Sequence, residues 1–375
     1  MMALMEKFTR RIGGILGTLR AEYWQLHNRY LADYQKFNGD ARQISQQVID
    51  KLWEGDFYRT SLGHFDFFWM RDFGTVADSL VKLGYDEKVH HTLSWALYHY
   101  HRAGEVTLCI DKAGNTFNAP AKKSVDALPW LLHSIVVSNY PLNKMERKFL
   151  ERQLHGYCKG LLEPKTGSLR QDVRYAELRD AVNYDRSAYA ITLIARMADC
   201  VEQLKLENFS YSASQYREVL LKDYWNGEFF QADSVTNVWS SECGLMPFFL
   251  GVIDDKEKVF QTFEYIDREK LAEPYPMQYC KQQEQFNFRL GMGKWLMPNY
   301  TGTTIWTWHG TFYLHLLRHY DHPDYDKHYR KFAQLIERHR TYPEMVGPKG
   351  EWYTTPIYNG DPGMIWAALF LELDF

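Results

Sequence analysis

Nine consecutive residues, His64-Phe65-Asp66-Phe67-Phe68-Trp69-Met70-Arg71-Asp72, combine four aromatic side chains, an arginine and two carboxylates. Such a segment is too apolar for a solvated loop and too charged for a core. An aromatic face can stack on the C–H face of a sugar ring, while Arg and Asp offer the bidentate hydrogen bonds that sugar hydroxyls need. The segment therefore predicts sugar binding by Trp69, Arg71 and Asp72. The structural alternative is a surface hairpin whose Asp72 is the N-cap of a helix over 73–83.

A second charged segment, 175–187, directly precedes an apolar helical pattern. Hydrolysis of a glycosidic bond usually needs two carboxyl groups, one to protonate the leaving oxygen and one to activate water or attack directly. Glu177 and Asp180 are both candidates for the acid, since each can raise the pKa of the other. Asp185 or Ser187 suits the helix N-cap. A solvated lead-in to the helix accounts for these charges equally well.

Glu344 is the candidate for the second carboxylate. It directly follows Pro343, in a loop that also carries Tyr342 and Trp352. Glu351 follows a Lys-Gly turn and is expected to be exposed. The dipeptide at 361–362 is an Asp-Pro pair, which predicts the N-cap and first residue of the last helix. A solvated loop acid is the structural alternative for Glu344.

Two further segments carry binding candidates. Asp126 lies at the start of a predicted apolar helix. The helix dipole, which favours an acid there, accounts for Asp126 about as well as sugar binding does. In the segment 297–309, Tyr300, Trp306 and Trp308 are candidates for a pocket wall, with a core role for one or two of them as the alternative.

Composition excludes several other classes of function. The net charge of −3 leaves no basic excess for a nucleic-acid backbone. The five cysteines form no CxxC pair, which predicts buried free thiols in a reducing compartment. Histidine spacing gives no metal motif, and no Gly-rich phosphate loop is present. No signal peptide and no membrane span are evident, so we expect a soluble, cytoplasmic protein with no membrane partner, metal or organic cofactor.

Helical periodicity dominates the chain, and the elements that must position these residues are mostly paired helices. Helices are predicted at 5–36, 41–53, 73–84, 87–103, 124–139, 143–161, 187–206, 209–222, 257–267, 303–319, 323–340 and 362–372. Short β-hairpins are predicted where the segment 106–110 turns at 112–115, and at the Asn-Gly turn of 224–230. Loops rich in aromatics and acids precede several helices. A ring of about six helical hairpins, an all-α (α/α)6 toroid, would gather those loops at one end. The alternative is an open α-solenoid with a peptide-binding groove. Residues 1–375 are predicted to form one domain, with 1–40 as an N-terminal helical extension.

The order of these motifs resembles that of the six-hairpin glycosidases, which include glucoamylases, trehalases, processing α-glucosidases and glycogen-debranching glucosidases. Residues 68–72 resemble the family's Trp-x-Arg-Asp motif, and 126–130 its Asp-x-x-Pro-Trp helix start. Residues 175–180 are similar to the loop of the general acid. Residues 224–230 resemble a Trp-Asn hairpin, 298–306 a substrate-facing loop, and 343–366 the segment of the catalytic base and closing helix. The β-sandwich that often precedes the barrel has no counterpart in this sequence.

The resemblance implies an inverting, exo-acting glycosidase that cleaves terminal, α-linked glucosyl residues from an oligosaccharide or small glycoside. Glu177, or Asp180, would protonate the glycosidic oxygen and Glu344 would deprotonate water. Trp69, Arg71, Asp72 and Asp126 would hold the terminal sugar. Three alternatives stay open: a sugar epimerase or lyase using histidines such as His309, a carbohydrate-binding protein without turnover, and a helical scaffold.

Overall fold

The computed structural model describes residues 34–119, 121–178, 186–281 and 293–374. Within them, the helices are α1 (Ala41–Leu52), α2 (Met70–Lys82), α3 (Asp86–Ala103), α4 (Ala127–Val137), α5 (Lys144–Leu161), α6 (Ala188–Leu204), α7 (Ala213–Val219), α8 (Ser241–Phe249), α9 (Lys256–Arg268), α10 (Gly293–Leu296), α11 (Thr307–His319), α12 (Tyr325–His339) and α13 (Ala367–Glu372). Helix α7 continues into a π-helical turn at Leu220–Tyr224.

Two kinds of helix alternate along the chain. Helix α12 is amphipathic, because Phe332, Leu335, Ile336 and His339 form one buried stripe and its other face is polar. Helix α4 is instead buried on almost every side, with Trp130 fully enclosed. A helix that is apolar all round must have neighbours on all sides, whereas an amphipathic helix needs a core on only one side. The sequence thus separates inner helices from outer ones.

The inner helices close into a ring. Helix α2 packs on α4, α4 on α6, α6 on α8, α8 on α11, α11 on α13, and α13 returns to α2. The amphipathic helices α1, α3, α5, α7, α9 and α12 precede the inner ones in turn, giving six helical hairpins among the described residues. This confirms the (α/α)6 toroid, and the closed contact between α13 and α2 is incompatible with an open solenoid.

Short strands connect the loops at one end of the ring. Strands β1 (Phe68–Trp69), β2 (Cys109–Ile110) and β3 (Thr116–Phe117) form an antiparallel sheet in which Trp69 is opposite Cys109. Strands β4 (Ile305–Trp306) and β5 (Met345–Val346) pair antiparallel, with Trp306 opposite Met345. The predicted turn of the segment 106–110 at 112–115 is confirmed by the pairing of β2 with β3, and the Asn-Gly hairpin is confirmed by the bridge between Trp225 and Phe230. These pairings fix the segments that precede α2 and α11.

Several helix boundaries differ from the sequence-based predictions. Asp40 caps α1 through a capping box with Gln43, as expected. Helix α2 begins at Met70, so the expectation that Asp72 is an N-cap is wrong and its side chain lies in the first turn. Helix α13 begins only at Ala367, so Asp361 is not its N-cap either. Residues 34–40 carry no helix. The end of the helix predicted over 5–36 is therefore wrong, and its part 5–33 lies outside the described residues.

Candidate active site

A pocket opens at the end of the ring where the inner helices begin. Its walls come from the loop before α2, the first turn of α2, the loop before α6, and the segments around α11 and α13. The lining residues are Phe65, Trp69, Arg71, Asp72, Leu178, Tyr300, Trp306, Trp308, Glu344, Met364 and Trp366. Seven of the sequence candidates therefore meet here: Trp69, Arg71, Asp72, Tyr300, Trp306, Trp308 and Glu344. The enclosed free volume is about 70 Å³.

Glu344 reaches the pocket from the residue just before β5 and is only 3% exposed. The Tyr358 hydroxyl donates to its carboxylate, 2.7 Å from Oε1 and 2.9 Å from Oε2. The backbone N–H of Asp361 donates to Oε2 at 3.0 Å. Burial raises the pKa of Glu344 to about 7, with Asp361 adding to the rise and His64 opposing it. A carboxylate that exchanges its proton near neutral pH suits a general acid or base.

Asp361 has a different role from the helix cap that its sequence suggests. Its carboxylate accepts the backbone N–H of His64 at 2.7 Å and of Phe65 at 3.0 Å, and also bonds to the Ser61 hydroxyl. The His64 ring nitrogen Nδ1 lies 3.0 Å from the same carboxylate. The backbone carbonyl of Asp361 accepts the N–H of Glu344 at 2.8 Å. Asp361 thus connects the aromatic loop before α2 to the segment that carries Glu344.

Arg71 of the Trp-x-Arg-Asp motif lines the pocket and is hydrogen-bonded to a buried carboxylate behind it. Arg71 Nε donates to Asp126 Oδ2 at 2.5 Å, and the Tyr189 hydroxyl donates to the same oxygen at 2.9 Å. Asp126 is fully buried and also bonds to the Ser124 hydroxyl. It therefore lies behind Arg71 and orients the guanidinium.

Asp72 itself faces the pocket and is 7% exposed. Burial raises its pKa to about 7, although the Arg71 guanidinium beside it lowers it. At neutral pH this carboxyl can either donate or accept a hydrogen bond from a sugar hydroxyl.

Aromatic side chains form the floor and the mouth of the pocket. Trp308 and Trp366 are almost fully buried and stack with ring centroids 4.8 Å apart. Tyr300 meets Trp306 edge-on at 5.3 Å. Trp69 is half-buried and packs edge-to-face with Phe65, with ring centroids 5.2 Å apart. The expected pocket wall is thus assembled from Tyr300, Trp306 and Trp308, with Trp308 serving the core as well.

One candidate acid, Glu177, contacts the residue that caps α6. Glu177 is 2% exposed, and the Ser187 hydroxyl lies 2.5 Å from its Oε2. Ser187 is the N-cap of α6, as the sequence predicts, and accepts the N–H of Ala190 at 3.1 Å. Leu178, the next residue, lines the pocket. Asp180 and the alternative cap Asp185 lie outside the described residues.

Sequence reasoning missed two parts of this end of the barrel. Trp366 lies in the pocket floor, although its only signal was its place just before the closing helix. Glu242 lies in the first turn of α8 and is 1% exposed. Its Oε1 accepts the hydroxyls of Tyr279 at 2.9 Å and Ser240 at 3.1 Å. Burial raises the pKa of Tyr279 well above its usual range, with Cys280 and Glu177 adding to the rise.

Other sequence expectations can be compared with the described residues. None of the described residues that line the pocket is a histidine, which removes the feature that would favour the epimerase or lyase alternative. No group of three or more His, Cys, Asp or Glu side chains is placed to hold a metal ion within the described ranges. None of the five cysteines forms a disulfide, and four of them are buried. In the part of the chain that the structure describes, no helix has both the length and the hydrophobicity for crossing a bilayer.

Solved glycosidases have the same architecture. The GH63 mannosylglycerate hydrolase from Thermus thermophilus, in complex with Tris, is 13% identical at a TM-score of 0.57, and the match covers 89% of this chain and 99% of that one. A glycosidase variant in complex with glucose gives 12% identity, a TM-score of 0.59 and coverage of 89% and 95%. A bacterial glucoamylase complexed with acarbose gives 12% identity and a TM-score of 0.58, and the match covers 88% of this chain and 54% of that one. These likenesses confirm the six-hairpin barrel. No protein-family model and no curated protein matches the sequence.

Proposed function

We propose that the protein is an inverting, exo-acting glycoside hydrolase that removes a terminal, α-linked glucosyl residue from an oligosaccharide or small glycoside. One observation carries the proposal: Asp72, Arg71 and the ionisable Glu344 face a single aromatic-walled pocket at the end of the barrel where the inner helices begin. The likeness in fold to proteins described as glycosidases supports it. We also propose a cytoplasmic location, since none of the five cysteines forms a disulfide.

Glu344 is the general base of this proposal. In its ionised form it takes a proton from water, whose oxygen attacks the anomeric carbon on the face opposite the leaving group. Tyr358 and the backbone N–H of Asp361 hold the carboxylate in one orientation. The pKa of about 7 makes the base competent at neutral pH without making it too weak to accept the proton.

Glu177 or Asp180 is the general acid, which donates a proton to the glycosidic oxygen as the bond to the anomeric carbon breaks. The loop that carries both residues borders the pocket through Leu178. After release of the sugar, the proton on Glu344 returns to solvent and the acid is reprotonated. Both carboxyl groups are then back in their starting states.

The terminal sugar occupies the space between the tryptophan floor and the Arg71–Asp72 pair. The free volume of about 70 Å³ is below the range of about 300–1,000 Å³ typical of small-molecule sites, so a sugar ring needs a wider pocket. The mouth residues Phe65, Trp69, Leu178 and Tyr300 are only half-buried, whereas Trp308 and Trp366 in the floor are fixed in the core. The proposal therefore requires the half-buried side chains at the mouth to move outward and widen the pocket when the sugar binds. A pocket with a closed floor favours chain ends over internal linkages.

The test is sugar release from α- and β-linked disaccharides, maltooligosaccharides and glucosyl- and mannosyl-glycerate. Wild type is compared with Glu344→Gln and with Glu351→Gln, an exposed acid of the same loop, as the matched control. Release by wild type and the control, reduced about 10²–10⁴-fold in Glu344→Gln, supports the proposal. Absence of release from every substrate, while a sugar still raises the melting temperature, would point to a carbohydrate-binding protein without turnover.

A further inference from the structure

A second cavity lies at the opposite end of the barrel, where the inner helices end. Its volume is about 670 Å³, within the range of about 300–1,000 Å³ typical of small-molecule sites. Five of the six inner helices contribute through their second halves, and α6 contributes through Arg196. The floor holds Thr75 and His133 in the middle of α2 and α4. The mouth is partly apolar, with Phe249, Leu250 and Tyr320.

Arg196 and His133 form a pair of hydrogen-bond donors in this cavity. The Nε–H of Arg196 donates to Nδ1 of His133 at 3.0 Å, so the proton of the neutral imidazole is on Nε2. Burial, and then the Arg196 charge, lower the pKa of His133 to about 3, which keeps the ring neutral. The imidazole thus fixes the guanidinium without neutralising it, and both side chains offer N–H groups.

Some of the charged side chains that line the cavity form ion pairs and others do not. Lys82 lies 2.7 Å from both Asp78 and Glu372, and Glu372 also bonds to the Ser79 hydroxyl at 2.5 Å. By contrast, neither Arg196 nor Arg318 has a carboxylate within ion-pair distance among the described residues. Arg318 donates only to the backbone carbonyl of Glu372, at 3.1 Å. Asp254 also lines the cavity and likewise has no ion pair among the described residues, so the cavity retains two guanidinium groups and one carboxylate without an ion pair.

Compensation of helix dipoles explains only part of this positive charge. A basic residue is favoured in the last turn of a helix, and the effect disappears within that turn. Arg318 lies in the last turn of α11, so the dipole accounts for it. Arg196 lies about two turns before the end of α6 at Leu204, beyond that range. Its position beside His133, in a cavity of ligand size, requires another reason.

We propose that this cavity binds a small metabolite through an oxyanion group, a phosphate or a carboxylate, held by Arg196, His133 and Arg318. A guanidinium fork pairs with two oxygens of either anion, and the Nε2–H of His133 supplies a further donor. The Asp254 carboxylate, which also lines the cavity, can accept hydrogen bonds from the hydroxyl groups of a polyhydroxylated body such as that of a sugar phosphate or a sugar acid. The site is at the other end of the barrel from Glu344 and stands independently of the proposed function.

The experiment measures binding of four probes by calorimetry at constant ionic strength: inorganic phosphate, glucose 6-phosphate, gluconate and uncharged glucose. Wild type is compared with Arg196→Gln, Arg318→Gln and the exposed control Arg102→Gln. We expect at least one anion to bind and its affinity to fall at least about tenfold in Arg196→Gln, as for the loss of a charge-assisted hydrogen-bond pair. The anion that binds shows whether the site takes phosphate or carboxylate. Arg318→Gln at the rim gives a second reading if Arg196→Gln does not fold.

Two controls separate this site from the candidate active site and from general charge effects. Glu344→Gln is expected to leave anion binding unchanged, because Glu344 lines the other pocket. Binding of none of the anions, equal weakening in Arg102→Gln, or loss in Glu344→Gln but not in the arginine variants would overturn the proposal.

Discussion

The hydroxyl of Tyr358 lies 2.7 Å and 2.9 Å from the two carboxylate oxygens of Glu344, fourteen residues away in the chain. Burial, and then the charge of Glu344, raise the pKa of Tyr358 well above its usual range, so the phenol remains a donor. A single hydroxyl shared by both oxygens holds the carboxylate plane, while the burial of Glu344 keeps its proton affinity high. This contact determines how Glu344 meets a water molecule in the pocket.

The pH dependence of turnover should report the ionisation of Glu344. A general base works only when deprotonated, so kcat/KM should rise with pH and level off above about 7. The measurement is a pH–rate profile on a disaccharide identified in the substrate panel. Asp72 also has a pKa of about 7, so Asp72→Asn is profiled in parallel. Its profile should keep the same acidic limb at a lower rate. Loss of that limb in Asp72→Asn would assign it to Asp72 instead.

The same ionisation should appear in the stability of the protein. The folded protein binds the Glu344 proton more tightly than the unfolded chain does. The resulting stabilisation is complete below about pH 4.5 and is lost as the pH rises through about 7. Glu344→Gln lacks this titration. The free energy of unfolding of the variant, minus that of wild type, should therefore increase by on the order of 2–3 kcal/mol from about pH 5 to pH 8. Urea denaturation measures the difference. Glu351→Gln, on the exposed part of the loop, should show no such trend, and an equal trend in both variants would refute the assignment.

The barrel was predictable because its outer helices carry a regular apolar stripe and its predicted helices follow one another in pairs. Helix α8 was missed because its pattern is apolar on every side and contains Gly244 and Pro247, which usually mark turns. With that helix, Glu242 was missed as well. Spacing alone also could not show that Asp361 binds the loop at 61–65, because the partners are about 300 residues apart.

Support of Arg71 by Asp126 should be measurable as both stability and substrate binding. Both side chains are buried, so Asp126→Asn removes the negative charge that Arg71 Nε contacts at 2.5 Å. Breaking a buried ion pair from one side costs about 3–5 kcal/mol, so we expect a loss of that order in urea denaturation. In the protein that remains folded, KM should rise more than kcat falls.

The matched control for this pair is Asp172→Asn, which removes a carboxylate from an exposed pair with Arg170. It should leave both the free energy of unfolding and KM nearly unchanged. A loss of stability as small in Asp126→Asn as in this control would show that Arg71 does not depend on Asp126.

The general acid can be separated from the base by the leaving group. A variant that lacks the acid should lose activity on disaccharides but keep much of it on an aryl glycoside, whose phenolate needs no proton to depart. We expect Glu177→Gln to show this pattern, since Glu177 is buried beside the pocket. Asp180→Asn is the comparison. The pattern in Asp180→Asn alone would assign the acid to Asp180 and leave Glu177 as a partner of Ser187.

The most direct test of the central claim is the anomer released by wild-type protein, followed by proton NMR during the first minutes of hydrolysis of the best α-glucoside. An inverting reaction, in which Glu344 activates water on the face opposite the leaving group, predicts β-glucose as the first product, with α-glucose appearing only through mutarotation. α-Glucose as the first product would contradict the account, because retention requires a carboxylate to attack the sugar itself.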